Sequence, residues 1–344
     1  MNSKQLVAAA LKGLPVPHVP TGPLAVHFCA GLAHYSIRQY TTDPHALGDA
    51  VIRYYARFKP DAIWLSADTW VSAEAMGARV GAATDHQPSG GMGEPLIRSA
   101  ADIDRIPAPD VGSQGRYPLM LEALSRVVGE LGTEVFIVAC FDQYPFSLAA
   151  ALMGINEIML KIHDDPAFLE ALLPRCAEYA LAYGRALSDA GADLLSGGDS
   201  PAGLIGPAAY RESALPFEQS LTAGLKAATG KPVSLHICGD STPILADMAR
   251  SGADALEIDY KVDLARACRI VGPDVALWGN IDPVSVLAQG NVAQVQEAAR
   301  QALEVVKTAR HRRFVLSSGC TLAVETPHDN LDALLAAPGP ARQL

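Results

Sequence analysis

The chain has 344 residues, 49% of them hydrophobic, and a formal charge of −10. This apolar content supports a large buried core and excludes a disordered chain, and the acidic balance leaves no basic footprint for nucleic acid or an anionic membrane surface. Six scattered cysteines, Cys29, Cys140, Cys176, Cys238, Cys268 and Cys320, form no dense disulfide framework and read as free thiols in a reducing compartment, so a cytoplasmic protein is expected.

The N-terminus, "MNSKQLVAAALKGLPVPHVP", has an apolar stretch too short and too interrupted for a signal peptide or a membrane span, and it reads as a short helix. "PLAVHFC" is the first strand candidate; it ends in His27 and Cys29, for which core packing or a substrate contact are both open. "DPHALG", Asp43 to Gly48, matches the Asp-x-His-x-x-Gly pattern whose histidine ligates cobalt in corrinoid modules. No strand precedes it, however, and Asp43-Pro44 followed by "ALGDAVIRYYARF" reads as a helix start. Thr84 to Ile106 is rich in Gly and Pro and reads as a long loop over one face, and its Gly91-Met92-Gly93 is too weak a pattern to suggest phosphate binding.

From Asp61 onward, short apolar runs alternate with amphipathic stretches. The runs are "DAIWLS", "EVFIVAC", "ADLLSGGD", "PVSLHICGD", "ADALEID", "DVALWGN" and "RFVLSSG", each ending in small or polar residues as a buried parallel strand does on entering a loop. Between them, "PLMLEALSRVVGEL", "DPAFLEALLPRCAEYALAYGRALSDAG" and "NVAQVQEAARQALEVVKTAR" carry helical periodicity, the second with Pro at its start and Gly191 at its end. With "PLAVHFC" the strand candidates number about eight. The expected fold is α/β, a single (β/α)8 TIM barrel over residues 1–344 with a short N-terminal helical extension.

In such a barrel every strand delivers its C-terminal end to one mouth. "SLHICGD" places His236 and Cys238 two positions apart, on one face of a strand end, and Cys320 follows another strand end at "RFVLSSGC". One imidazole and two thiols suit a catalytic zinc site with its fourth position open, although buried Cys and a satisfied His would read the same way. On the next strand Glu257 and Asp259 share a face, and Asp259, nearer the mouth, is the better fourth ligand; either acid could instead cap a helix or pair with Lys261. Asp142, Asp199 and Asn280 are the substrate-contact candidates at other strand ends, with helix capping an equal account of Asp199 and turn formation an account of Asn280 and Asp282. No general acid, base or nucleophile is assigned.

The run "HICGDSTPILADMARSGADALEIDYKVDLARACRIVGPDVALWGNIDPVSVL", with "LSSGCTLAVETPHDNLDALL", resembles the uroporphyrinogen decarboxylase superfamily, in its zinc-dependent methyltransferase branch typified by methylcobalamin:coenzyme M methyltransferases. The resemblance is strong over about 191–336 and looser before it, where "WVSAEAMGARV", containing Glu74, matches best. It implies His236, Cys238 and Cys320 as zinc ligands. Uroporphyrinogen decarboxylases carry an Arg-Gln-Ala-Gly-Arg segment near the start and end this later motif in Gly-His-Gly. Here the segments read "HFCAGLAHYSIRQY", with Arg38 its one arginine, and Ser318-Gly319-Cys320. The pattern is also similar to that of zinc-dependent, cobalamin-independent methionine synthases, whose acid ligand falls where Asp259 stands. The resemblance implies a methyl-corrinoid, carried on a separate protein, or another methyl donor, and a small thiol acceptor; the acidic charge argues against nucleic acid and membrane as partners, and a homo-oligomer is left open. A decarboxylase or lyase on the same barrel, and a non-catalytic zinc- or corrinoid-partner-binding protein, are the alternatives.

Overall fold

The computed structural model describes residues 1–81 and 94–339. Residues 84–93 of the expected loop, with Gly91-Met92-Gly93, therefore lie outside the described residues; the part that follows forms a short helix, Ala100–Ile103. Seven parallel strands are described: β1 (Ala62–Leu65), β2 (Phe136–Gln143), β3 (Leu194–Gly198), β4 (Val233–Ile237), β5 (Ala255–Ile258), β6 (Ala276–Ile281) and β7 (Phe314–Ser318). They lie side by side in chain order, each joined to the next by helical crossovers. All seven apolar runs from Asp61 onward are strands, and the three amphipathic stretches between them are the helices Tyr117–Leu131, Pro166–Asp189 and Val292–Thr308. Asp165 caps the second of these by accepting from the Phe168 amide, with Pro166 in the first turn, and Asn291 starts the third with a capping box to Gln294.

The sheet is curled. Trp64 on β1 and Trp278 on β6 meet edge to face with ring centroids 5.8 Å apart, although four strands separate β1 from β6 in the sheet order. They belong to an inner apolar cluster with Val138 of β2, Leu194 of β3 and Val315 of β7, distinct from the larger core between the sheet and its helices. The N-terminal helix Ser3–Leu11 adds Val7 and Leu11 to this inner cluster. It lies across the N-terminal strand ends, where Lys4 Nζ bonds the Gly132 carbonyl at 2.7 Å and pairs with Asp193 at 2.8 Å. The helix thus plugs one end of the curl, which leaves the C-terminal strand ends as the open face.

"PLAVHFC" is not a strand. Residues 20–22 run between the sheet's two edges: the Leu316 amide donates to the Pro20 carbonyl, the Gly22 amide to the Leu316 carbonyl, and the Asp61 and Ala62 amides to the Thr21 carbonyl, at 2.9–3.0 Å. The chain then enters the helix Val26–Leu32, which buries Val26, Phe28, Cys29 and Ala30. An apolar run this short carries no periodicity that separates a strand from a buried helix. The helix start read at Asp43-Pro44 is present: Asp43 accepts from the His45 and Ala46 amides, and the helix runs Pro44–Phe58. No single helix among the described residues is long and apolar enough to cross a membrane.

Candidate metal centre

β4 ends at Ile237, so His236 is its last inward-facing residue and Cys238 the first residue of the loop beyond. In register, His236 lies between Gly198 of β3 and Glu257 of β5. Its Nδ1 is 3.0 Å from the Glu257 carbonyl oxygen, which can only accept, so Nδ1 carries a proton and, in the neutral ring, Nε2 offers its lone pair toward the sulfurs. That Nε2 is 2.9 Å from Cys238 Sγ and 4.0 Å from Cys320 Sγ, and the two sulfurs are 3.7 Å apart. His236, Cys238 and Cys320 form a group among the described residues that could hold a metal ion, with one atom from each inside a 4.8 Å span.

This triangle fits zinc. Tetrahedral ligation with Zn–S near 2.3 Å and Zn–N near 2.0–2.1 Å requires edges of about 3.8 Å between sulfurs and about 3.6 Å from sulfur to nitrogen. The sulfur–sulfur edge matches, and the two nitrogen edges bracket the requirement, so a small rotation of the imidazole equalises them. The same contacts shift the protonation of all three groups. The hydrogen bond to Cys320 brings the Cys238 thiol down to about 7 against its burial, while that same bond and burial push Cys320 up to about 12. Burial pulls the His236 imidazole down, but its contacts with Cys320 and Glu257 outweigh this and raise it to about 9. A metal would bind the neutral imidazole and the thiolates, so its capture would release the protons these groups hold.

Backbone contacts set the positions of these three side chains. The Cys238 amide donates to Ser200 Oγ at 3.1 Å, which ties the β4 loop to the residues after β3. Both Asp259 oxygens accept backbone amides, Oδ2 from Gly239 and Oδ1 from Lys261, each at 2.9 Å. Asp259 therefore ties together the loops after β4 and β5, and it lies outside the three-residue ligand group. Gly319 comes so close to β5 that an added Cβ would sit 2.4 Å from the Tyr260 nitrogen, so only glycine lets the β7 loop carry Cys320 inward. Below the ligands, buried Glu257 accepts from Ser196 Oγ at 2.8 Å and from Ser234 Oγ, and burial raises its pKa.

The substrate-contact candidates are drawn elsewhere. Asp199 is fully buried, accepting from the Ser147 amide and hydroxyl at 2.7 and 2.6 Å, and burial raises it to about 6. Asp142 is buried with one oxygen on the Ser72 amide at 2.8 Å and the other without a partner. Asn280 donates to the Asp259 and Val262 carbonyls at 3.1 and 2.8 Å, and Asp282 accepts the Val284 and Ser285 amides, so both shape turns. His27 Nε2 lies 2.7 Å from the Ala67 carbonyl, and Cys29 is buried. Glu74 accepts from Arg116 Nε, whose two terminal nitrogens bind Asp68. Ser196, Ser200 and Ser234 were not among the expected site residues. Ser234 shares the strand face of His236 by alternation, a signal available in "SLHICGD".

Residues 2–338 match the uroporphyrinogen decarboxylase (URO-D) family. The chain belongs to this family. One URO-D-like relative, a methylcobamide:CoM methyltransferase MtaA of Methanosarcina barkeri, is 30% identical over 343 residues, covering 97% of this chain and 96% of the relative. A uroporphyrinogen decarboxylase of Gloeobacter violaceus is 27% identical over 342 residues, covering 95% of each. Among solved structures, a methyltransferase from Methanosarcina mazei superposes with a TM-score of 0.88 at 27% identity, covering 98% of both chains. A B12-independent methionine synthase from Shewanella sp. W3-18-1, with a TM-score of 0.59 at 12% identity over 93% of this chain and 96% of that one, shares the fold.

Proposed function

We propose that this URO-D family member is a zinc-dependent methyltransferase that moves a methyl group from a methyl-corrinoid, or another methyl donor, to a small thiol. The observation that carries this reading is the gathering of one imidazole nitrogen and two sulfurs from the ends of β4 and β7 at the open face. Full-length similarity to methylcobamide:CoM methyltransferases supports methyl transfer, and that to uroporphyrinogen decarboxylases supports the scaffold. Residues 1–344 would act as one barrel, with the Pro20–Gly22 segment in the place of an eighth strand.

His236, Cys238 and Cys320 would hold the metal, leaving a fourth direction to the open face. Bound there, zinc supplies the positive charge that keeps an acceptor thiol ionised near neutral pH. Glu257 fixes the imidazole tautomer through its carbonyl, Ser200 and Asp259 fix the Cys238 loop, and Gly319 fixes the approach of Cys320. The acceptor sulfur uses a lone pair to form the new S–CH3 bond, and the donor keeps the electron pair of the bond that breaks. A corrinoid donor would be held by a separate protein; the Asp43–Gly48 segment here caps and begins the helix Pro44–Phe58.

The test is depletion of methylcobalamin by the purified protein with a panel of small thiols, together with metal analysis of the wild type and Cys320→Ser. Thiol methylation that disappears with zinc in the variant is the expected result. Decarboxylation that persists after zinc is lost would assign the barrel to decarboxylase chemistry, and zinc binding without turnover on any thiol would assign it to binding alone.

A further inference from the structure

The opposite end of the sheet carries a feature the metal centre does not use. A cavity of about 630 Å³ opens between the segment after the N-terminal helix, the end of the helix Val292–Thr308 and the start of β7. Lys307, Arg310 and Arg312 line it with His18 and His311, and among the described residues no carboxylate does. Residues 307–313 hold four cations and no acid in a chain whose net charge is −10. Lys307 lies in the last helical turn, where a cation complements the helix C-terminus, and reaches Glu304 at 3.9 Å. Arg310 and Arg312 lie beyond that turn, and among the described residues no carboxylate pairs with either.

His311 adds an independent sign. It is 7% exposed, and its buried Nε2 has no hydrogen-bond partner. Burial lowers its pKa, against an opposing backbone hydrogen bond at Arg313. Buried polar atoms in folded proteins nearly always find a partner, so this unpaired nitrogen, on a residue that lines the cavity, is an exception. The remaining walls are apolar, with Val19, Leu303 and Phe314 among them.

We propose that this cavity binds a small phosphate ester, its head held by Arg310, Arg312 and Lys307 and its apolar body lying against Val19 and Leu303. Two guanidinium forks and an ammonium match a phosphate dianion better than a single carboxylate. A concave site with apolar walls suits a discrete molecule, whereas a lipid surface is met by an exposed amphipathic face. The site stands at the plugged end of the sheet, away from His236, so occupancy is separable from the metal chemistry.

The experiment titrates octyl phosphate and inorganic phosphate into the full-length protein by calorimetry, with phosphatidate-containing vesicles as a third arm. Saturable one-to-one binding of octyl phosphate, tighter than inorganic phosphate, is expected. Binding should weaken about tenfold or more for each arginine removed in Arg310→Gln and Arg312→Gln. Lys307→Gln, on the helix, serves as a second variant, and unchanged zinc content and thermal melting show that each variant is folded. The proposal is overturned if octyl phosphate does not saturate, if inorganic phosphate binds as tightly, if the folded variants bind as the wild type does, or if only vesicles are bound.

Discussion

Gly319→Ala tests the geometry that delivers Cys320. The new Cβ would sit 2.4 Å from the Tyr260 nitrogen and 3.1 Å from both the Asp259 carbonyl carbon and Tyr260 Cα. Relaxed contacts lie near 3.5 Å, so the β7 loop and the end of β5 must part by about 1 Å. Because the strain falls one residue before Cys320, the 3.7 Å separation from Cys238 Sγ opens past the roughly 3.8 Å edge that zinc tolerates. Zinc affinity should fall about 10–100-fold, as it does when the groups that orient metal ligands are lost, and the metal-free protein should lose about 1–3 kcal/mol from overpacking. Competition with a chromophoric chelator measures the first, and urea unfolding of metal-free protein the second. Zinc affinity within twofold of the wild type would refute the idea that this close backbone approach sets the position of Cys320.

Two further substitutions probe the scaffold around the face. Burial pushes Asp142 up to about 7, above its unfolded value near 3.9, so the unfolded chain loses this proton first. The contribution of Asp142 to stability is therefore full below about pH 4 and declines by as much as about 4 kcal/mol as pH rises through 7. Asp142→Asn should flatten that decline, and urea midpoints at pH 5 and pH 8 that differ as much as in the wild type would contradict it. Arg116 binds Asp68, whose side chain is fully buried, together with Glu74 and the Thr41 carbonyl. Arg116→Ala should cost about 3–5 kcal/mol in urea unfolding by leaving a buried carboxylate unpaired, and a loss under about 1 kcal/mol would show that solvent reaches Asp68.

The parts of the fold that repeat were readable from the sequence, and the parts that depend on one contact were not. Seven apolar runs ending in small residues became seven parallel strands because a strand buried on both faces needs that pattern. The first run failed because the chain at Pro20–Gly22 needs only a few backbone hydrogen bonds to join both edges, and its apolar residues were free to form a helix. Alternation along β4 and the mouth-ward run of each strand sufficed to bring His236, Cys238 and Cys320 together, the convergence on which the proposed metal site rests. They could not say what an acid at a strand end faces. Asp259 turns to backbone amides, while Asp199 and Asp142 turn into the core, choices made by the neighbouring loops. Ser200 and Gly319 act through the backbone of another segment, which one-dimensional spacing does not record.

The most direct test is zinc K-edge X-ray absorption on the purified full-length protein. One zinc per chain is expected, with two sulfur neighbours near 2.3 Å and one imidazole nitrogen near 2.0 Å, and the sulfur count should drop to one in Cys320→Ser. A first shell of only nitrogen and oxygen, or a spectrum unmoved by that substitution, would contradict metal capture by the two cysteines.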